Sequence, residues 1–431
     1  MFDVFKNAWK VEDIREKLHY TLLIIVVFRL GAAIPVPFLD TTALSSMFGA
    51  NSGNLLGYLN MLTGGALSMA TVFALSISPY ITASIVIQLL TIAIPALEKL
   101  AKEGNEGKKK INMITRSSTV ALALIHAYAY YVTLKVYNAV ETFDNTWENV
   151  LVVVTILFMF TAGSMLVMWL GERIDEKGIG NGISMILFAG IVSGGPRLVS
   201  TLWYYLTLGE VKYYFFVPAL VIIFVLLIAF IVLFNQAERR IPVQYAKRVV
   251  GRKQYGGQSS HIPVKVTMAG VLPIIFAGAL LAIPATIEAF VKVEEGSFWA
   301  GFFNMFDQTH WLYSVLYFVL IVAFSYFYIA IQYNPTEMAN NLQKNNGAIP
   351  GIRPGKPTAD FISRIIGKIT FIGAMFLGVI ALLPTIIGAV SGIQGVTIGG
   401  TTVIIVVSVA LETARSLESM MMMRHYKGFL E

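Results

Sequence analysis

The chain contains no cysteine and few charged residues, and both shortages limit what it can do. Without cysteine it has no disulfide, no thiol nucleophile and no thiolate ligand for a metal. Charged residues make up 13% of its 431 residues, whereas hydrophobic residues make up 56%. About a quarter of the residues in an average soluble domain are charged, and a mean hydropathy of +0.70 is too high for such a domain. The composition therefore indicates an integral membrane protein.

The residue patterns that catalysis and metal binding need are also missing. The five histidines show no metal-ligand spacing, and no carboxylate lies at mid-membrane depth, where a proton relay would need one. The glycine and lysine run at 104–108 lacks the spacing and the Ser or Thr of a phosphate loop, and no G-x-S-x-G motif is present. We therefore predict that the chain is not an enzyme and has neither a cofactor nor a metal site.

Long apolar segments recur along the whole chain and predict an all-α, polytopic membrane protein with ten transmembrane helices. The predicted spans are 20–36, 71–94, 115–136, 150–170, 181–200, 214–234, 267–290, 312–332, 367–390 and 399–414.

Positive charge is distributed unevenly between the loops that these spans define. With ten spans, 27 of the 32 Lys and Arg residues fall on one side of the membrane. Basic loops stay in the cytoplasm, so we expect both termini to be cytoplasmic. Arg29 is an exception, since it is a charge inside the first predicted span, and the sequence gives it no partner.

Two features indicate an internal repeat. Ten spans divide into two halves of five, residues 1–205 and 206–431. Because each half has an odd number of spans, the second half is inserted in the opposite orientation to the first. The second span of each half also contains a proline, Pro79 or Pro273. Interrupted segments at matching places point to a central path in inverted-repeat proteins. Ordinary proline kinks explain the same pattern equally well.

Three connecting segments are unusual. Residues 54–68, on the external side, are apolar but too short to cross a membrane, so they are either re-entrant or packed into the protein. Residues 235–266 contain seven basic residues, and their apolar and polar side chains alternate as in a projecting β-hairpin. Residues 333–366 are stiffened by prolines. Basic residues in these two loops serve either to fix the topology or to dock a partner.

Two aliphatic pairs repeat at helical spacing, Ile77 with Ile81 and Ile183 with Leu187. Residues four apart share one face of a helix. From the spacing alone, core packing or lipid contact is the better explanation of both pairs.

Longer motifs carry a family resemblance. They are GGALSMATVFALSISPYITASIVIQLL (64–90), GIGNGIS (178–184), QAERRIPVQYAKR (236–248), SSHIPVKVTMAGVLPIIFA (259–277) and NGAIPGIRPGKPT (346–358). From about residue 10 to residue 427 the chain resembles the bacterial SecY family, the channel-forming subunit of the general secretory translocon.

The resemblance implies an hourglass pore between two inverted halves of five helices each, and a role for each of four residue sets. The ring that seals the waist would consist of Ile77, Ile81, Ile183, Leu187, Ile275 and Ile405, with Leu187 where the family usually has isoleucine. The plug, within 54–68, would include Tyr58, Leu59, Met61, Leu62, Gly64 and Gly65. Polar contacts at a lateral gate between the second, third, seventh and eighth spans would be Ser84, Gln88 and Thr91. Partner docking would use Arg239, Arg240, Lys247, Arg248, Arg252, Arg353 and Lys356, with Arg353 the strongest single candidate.

The resemblance therefore implies a protein-conducting channel in the bacterial cytoplasmic membrane. Such a channel passes unfolded secretory polypeptides across the bilayer and releases membrane segments into it. The implied partners are small SecE-like and SecG-like subunits, the SecA motor ATPase, the ribosome, a polypeptide bearing a signal sequence, and lipid. The alternatives are a secondary transporter of a small solute, which would need polar groups at mid-membrane depth, and an intramembrane hydrolase, which lacks a nucleophile and base.

Overall fold

The structure is a computed structural model that describes residues 2–40, 44, 60, 63–208, 211–245, 248–250, 253–255, 259–290, 297–306, 310–391 and 400–427. In the first half of the chain the helices are α1 (Phe2–Lys10), α2 (Glu12–Gly31), α3 (Ser78–Ala93), α4 (Pro95–Lys102), α5 (Asn105–Val136), α6 (Thr146–Lys177), α7 (Gly182–Ser193) and α8 (Gly195–Thr207). In the second half they are α9 (Val211–Gln236), α10 (Leu272–Phe290), α11 (Phe298–Asn304), α12 (Trp311–Gln332), α13 (Pro335–Lys344), α14 (Lys356–Ser391) and α15 (Gly400–Lys427).

Each of the ten predicted spans overlaps a helix or a pair of consecutive helices. By length and apolar composition alone, six described segments could cross a membrane: α5, α6, α7 with α8, α9, α12 with α13, and α14. The pair α3 and α4 would add a seventh, although it bends by 101° at Ile94. The remaining predicted spans fall on α2, α10 and α15.

The predicted span 71–94 is wrong at its beginning. Helix α3 starts at Ser78, and residues 63–77 mostly form turns instead. Ala70 and Ser76 have φ angles of +44° and +48°, which a right-handed helix does not contain. Apolar composition alone does not distinguish such a buried turn from a helix.

The two prolines do not kink their spans. Pro79 is the second residue of α3, and Pro273 is the second residue of α10. A proline in the first helical turn costs no hydrogen bond, because that N–H has no partner within the helix. The same placement occurs in both halves, and the internal repeat stays a prediction. The proposed boundary between residues 205 and 206 falls in the last turn of α8 and stays a prediction.

Three apolar clusters form the interior of the membrane region. One lies within the first half, around Leu134, Ile156 and Phe160, and another lies within the second half, around Ile231 and Ile321. The third, here called the central cluster, joins the two halves. Its buried members are Ile24, Phe28, Ala32, Ala66, Phe73, Ile77, Val167, Leu170, Ile174, Ile186, Leu187, Ala189, Ile191, Ile405 and Val409.

The predicted hairpin in 235–266 is confirmed. Strand β1 (Glu238–Tyr245) pairs antiparallel with β4 (Ser259–Lys265), with Ile241 opposite Ile262. Between them, β2 (Arg248–Val250) pairs with β3 (Lys253–Tyr255).

The structure also joins the hairpin to the other long loop. Strand β5 (Gly347–Ala348) pairs with the end of β1, so one three-stranded sheet contains both loops. Buried Val243, Ile349 and Ile362 belong to one apolar cluster beneath this sheet. The two loops are therefore parts of one platform, which the sequence did not indicate.

Candidate pore constriction

Ile77 and Ile81 are positioned by the turn that precedes α3. The N–H of Ser76 donates to the Phe73 carbonyl (2.9 Å), and the Ser164 hydroxyl of α6 donates to the Ser76 carbonyl (3.1 Å). These bonds fix the turn against α6, and Ile77 is the residue that immediately precedes α3. The N–H of Ile81 donates to the Ile77 carbonyl (3.1 Å), which places the two side chains one helical turn apart.

Ile183 and Leu187 are positioned by close packing of α6 and α7. Asp175 accepts a hydrogen bond from the Gly182 N–H (2.7 Å) and thereby anchors the first residue of α7. The backbones of Gly182 and Gly171 approach so closely that a Cβ on Gly182 would lie 1.9 Å from the Gly171 carbonyl oxygen. A Cβ on Gly171 would lie 3.6 Å from Ile77 and 3.7 Å from Ile183, so these side chains from α3 and α7 meet at one point.

The second half contributes Ile275 and Ile405. Ile275 lies in the first turn of α10, and its N–H donates to the Val271 carbonyl (3.2 Å). Ile405 lies on α15, is 1% exposed, and belongs to the central cluster that the first half dominates.

All six predicted ring residues thus meet in the central cluster. Ile77, Leu187 and Ile405 are among its buried members, and Ile81, Ile183 and Ile275 are partly buried and pack against it. We refer to these six residues as the aliphatic ring. Five come from four helices of the two halves, Ile77 immediately precedes α3, and none of the six side chains contains a hydrogen-bonding atom. If these side chains line a pore, they would exclude water and ions and would bind neither.

Of the predicted plug residues, Gly64 and Gly65 are described, whereas Tyr58, Leu59, Met61 and Leu62 lie outside the described residues. Gly64 sits against the central helices, because a Cβ built on it would lie 2.4 Å from the Ser193 hydroxyl, 2.6 Å from the Gly190 carbonyl oxygen and 2.6 Å from Nη1 of Arg29. Gly65, by contrast, faces open space.

Arg29 was unexplained by the sequence, and the structure places it beside the predicted plug. Its Nη1 atom is buried and has no hydrogen-bond partner among the described residues. Its charge alone could have identified this position from the sequence, because burying an arginine in a membrane span costs free energy and usually marks a functional position. Nothing in the sequence pointed to its neighbour Gly64.

The predicted gate residues lie on one helix, and among the residues that the structure describes they make no hydrogen bond to the other half. Helix α10 contacts α3 and α5, so the predicted second, third and seventh spans do meet, and α12 packs on α10. Ser84, Gln88 and Thr91 are all half-buried on α3. In the described part of the chain, their hydrogen bond is within the helix, from the Thr91 hydroxyl to the Gln88 carbonyl (2.6 Å).

The predicted docking residues lie on the platform, except Lys247 and Arg252, which are outside the described residues. Arg239 and Arg240 are exposed on β1, where Arg240 forms an ion pair with Glu238 (2.7 Å), and Arg248 begins β2. Arg353 and Lys356 are exposed beside β5 and at the start of α14.

This fold defines a polytopic helical membrane protein whose two halves meet in one apolar cluster. A family model described as SecY matches residues 71–414. The SecY subunit of the protein translocase of Streptomyces coelicolor is 44% identical over the full length of both chains. The chain belongs to the SecY family.

Solved structures agree on the fold. A SecY structure, from work on a plug domain that stabilises the closed channel and maintains a membrane seal in that protein, matches with a TM-score of 0.66 at 19% identity over 94% of this chain and 92% of that one. Canine Sec61, in a ribosome-channel complex from the endoplasmic reticulum, matches with a TM-score of 0.62 at 18% identity over the same shares.

Proposed function

We propose that this chain is the pore-forming subunit of a protein-conducting channel in the bacterial cytoplasmic membrane, with both termini in the cytoplasm. The observation that carries the proposal is the aliphatic ring, in which six side chains from both halves meet in one cluster. Family membership supports the same function, since its relatives are protein translocase subunits.

An apolar waist fits this function because it can block ions when the channel is empty and let a polypeptide pass when the channel is occupied. Without a peptide, aliphatic side chains dewet the narrowest point, and an ion that leaves water for that site loses its hydration. With a peptide, the same side chains close around it and offer no hydrogen bond that would retain one sequence longer than another. A polar ring would conduct ions and retain polar segments.

The described residues offer little that could form the binding site of a transporter. A solute or coupling ion needs polar or charged groups at mid-membrane depth. Apart from tyrosines and the partly buried Arg29, the buried polar side chains among the described residues are all Ser or Thr, and no cluster of His or carboxylate groups there could hold a metal ion. These findings favour the channel.

The remaining roles belong to the same proposal. Residues 54–68 would plug the external funnel, and α3, α5, α10 and α12 would open laterally to lipid at Ser84, Gln88 and Thr91. The platform would dock the SecA motor ATPase or the ribosome, and small SecE-like and SecG-like subunits would clamp the halves. Energy would come from a partner, since the chain is not itself proposed to be an enzyme.

Replacing Gly64 with alanine tests both the plug and the function. The new Cβ would overlap the Gly190 carbonyl, Ser193 and Arg29, and Gly64 has a φ of +67°, which an L-residue rarely adopts. The segment must therefore shift. We expect a weakening of its docking by about 1–3 kcal/mol, which raises the resting ion conductance of reconstituted channels about 5- to 150-fold. A transporter would gain no passive conductance.

Gly65→Ala is the matched control. Gly65 also has a positive φ, of +89°, but a Cβ there meets no atom within 4 Å. This variant keeps the backbone strain and lacks the overlap, so we expect a clearly smaller increase. Equal conductance in the two variants, with both folded and monodisperse, would contradict the contact at Gly64.

A further inference from the structure

The turn that leads into the aliphatic ring combines two unfavourable features at one position, Ser76. Ser76 has a φ angle of +48°, in the left-handed region that favours glycine because a Cβ there approaches the following carbonyl oxygen. Its side-chain oxygen is also buried and has no hydrogen-bond partner within the part of the chain that the structure describes. A buried hydroxyl without a partner is itself unfavourable. Serine therefore destabilises this turn in comparison with glycine, which would remove both features.

Contacts with α6 hold Ser76 in this conformation. The Ser76 N–H donates to the Phe73 carbonyl (2.9 Å), and the Ser76 carbonyl accepts from the Ser164 hydroxyl of α6 (3.1 Å). Earlier in the same turn, a Cβ built on Gly163 of α6 would lie 1.9 Å from the Val72 carbonyl oxygen, so the two backbones touch. Such strain persists only where the surrounding structure imposes it, and it is concentrated at functional positions.

The strain lies at the joint between this turn and the aliphatic ring. Ile77 follows Ser76 directly, is 0% exposed, and is the residue that immediately precedes α3. In this structure the ring side chains are packed together in the central cluster. A polypeptide that passes between the two halves has to separate these side chains. For α3 to move away from α6, the backbone angles at the joint have to change.

We propose that Ser76 favours opening of the aliphatic ring, because its strained backbone and unpaired hydroxyl raise the free energy of the packed arrangement and are relieved when the joint moves. The proposal rests on the proposed channel function and adds a residue that sets how readily the channel opens. Ser76 is a positioning residue, since it acts through Ile77 and is not itself part of the ring. A ligand has to supply less binding free energy to open a channel whose packed state is less stable.

The experiment measures the concentration of a synthetic signal peptide that half-maximally opens reconstituted channels in planar bilayers. The peptide has a basic N-terminus and an apolar segment of about twelve residues. Ser76→Gly relieves the strain, so we expect the open fraction of channels to fall about tenfold. The half-maximal concentration should then rise about tenfold, because apparent affinity falls with the fraction of competent channels. The conductance of the fully open channel should not change, since the ring side chains are the same.

Two variants separate the sources of this effect. Ser76→Ala removes the hydroxyl but keeps a Cβ at positive φ, so it should shift the half-maximal concentration clearly less than glycine does. Asn138→Gly relieves a φ angle of +54° at an exposed position that lies outside the central cluster. It should leave the half-maximal concentration unchanged. Thermal unfolding checks the strain itself, and Ser76→Gly should unfold at a higher temperature than wild type.

Three results would overturn the proposal and leave the channel function intact. They are opening of wild type and Ser76→Gly at the same peptide concentration, equal shifts for glycine and alanine at position 76, and a lower unfolding temperature for Ser76→Gly. A wild-type channel that no concentration of the peptide opens would overturn both the proposal and the channel function. A rise for Ser76→Gly without a rise for Asn138→Gly supports the role of Ser76 in opening.

Discussion

Replacing both Ile81 and Ile275 with asparagine is expected to raise the resting ion conductance of the channel by a factor on the order of a hundred. Both side chains pack against the central cluster, one from α3 and one from α10 in the opposite half. Two amides would supply hydrogen-bonding groups where there are none, and each polar group changes local solvation by about 2–7 kcal/mol. A barrier lower by about 3 kcal/mol accounts for the hundredfold change. Planar-bilayer recording of purified channels measures it.

The control is leucine at both positions, which keeps the volume and the apolar character. Such swaps usually cost under about 1.5 kcal/mol in packing, so the seal should hold. If the asparagine variant is folded and conducts ions no faster than wild type, Ile81 and Ile275 do not form the seal. A leucine variant that leaks equally would show that shape, not polarity, closes the pore.

Reversing the charge of Arg353 is expected to abolish export driven by a motor ATPase. The side chain is exposed, but its backbone is fixed, since the Thr358 hydroxyl donates to the Arg353 carbonyl (2.8 Å) and Gly351 and Gly355 hold positive φ angles of 82° and 94°. A fixed backbone reduces the entropy that this loop loses when a partner binds. Placing a carboxylate against an acidic partner surface costs several kcal/mol, so Arg353→Glu should slow translocation at least about thirtyfold.

Lys344→Glu makes the same change of charge at an exposed position of α13, in the same loop. We expect translocation into proteoliposomes to fall for Arg353→Glu and to remain near wild type for Lys344→Glu. The ion conductance of both variants should be unchanged, because neither residue belongs to the central cluster. Equal export by the two variants would exclude a docking role for Arg353, and equal loss would indicate a general effect of charge.

The all-α, polytopic class could be predicted because membrane burial selects long apolar runs. The hairpin 238–265 could be predicted for a similar reason, since the alternation of apolar and polar residues and the positions of the prolines are local signals. The four-residue spacing of Ile77 with Ile81 showed only that they share a face. It could not show that Ile275 and Ile405 meet them, because contacts between helices distant in sequence leave no local pattern. Family resemblance supplied that expectation.

The differences between prediction and structure have the same origin. The turn before α3 is as apolar as a helix, and the hydrogen bond from the Ser164 hydroxyl to its Ser76 carbonyl is a contact that no periodicity records. The pairing of β5 with β1 joins residues about a hundred positions apart. The approach of Gly64 to Arg29 likewise joins the predicted plug to the first span. Each of these is a tertiary contact between segments that the sequence separates.

Single-cysteine crosslinking tests the central claim most directly, and a chain without cysteine needs no background substitutions. One cysteine is placed at Ile81, Ile183, Ile275 or Ile405, and a secretory polypeptide with one cysteine is halted in transit by a folded domain. Because a disulfide requires Cα atoms within about 7 Å, it reports direct contact. The controls are exposed positions on the same helices, Val86, Val192 and Leu280. We expect crosslinks at all four ring positions and none at the controls. Crosslinks at the controls with none at the ring would show that the polypeptide does not pass between the two halves.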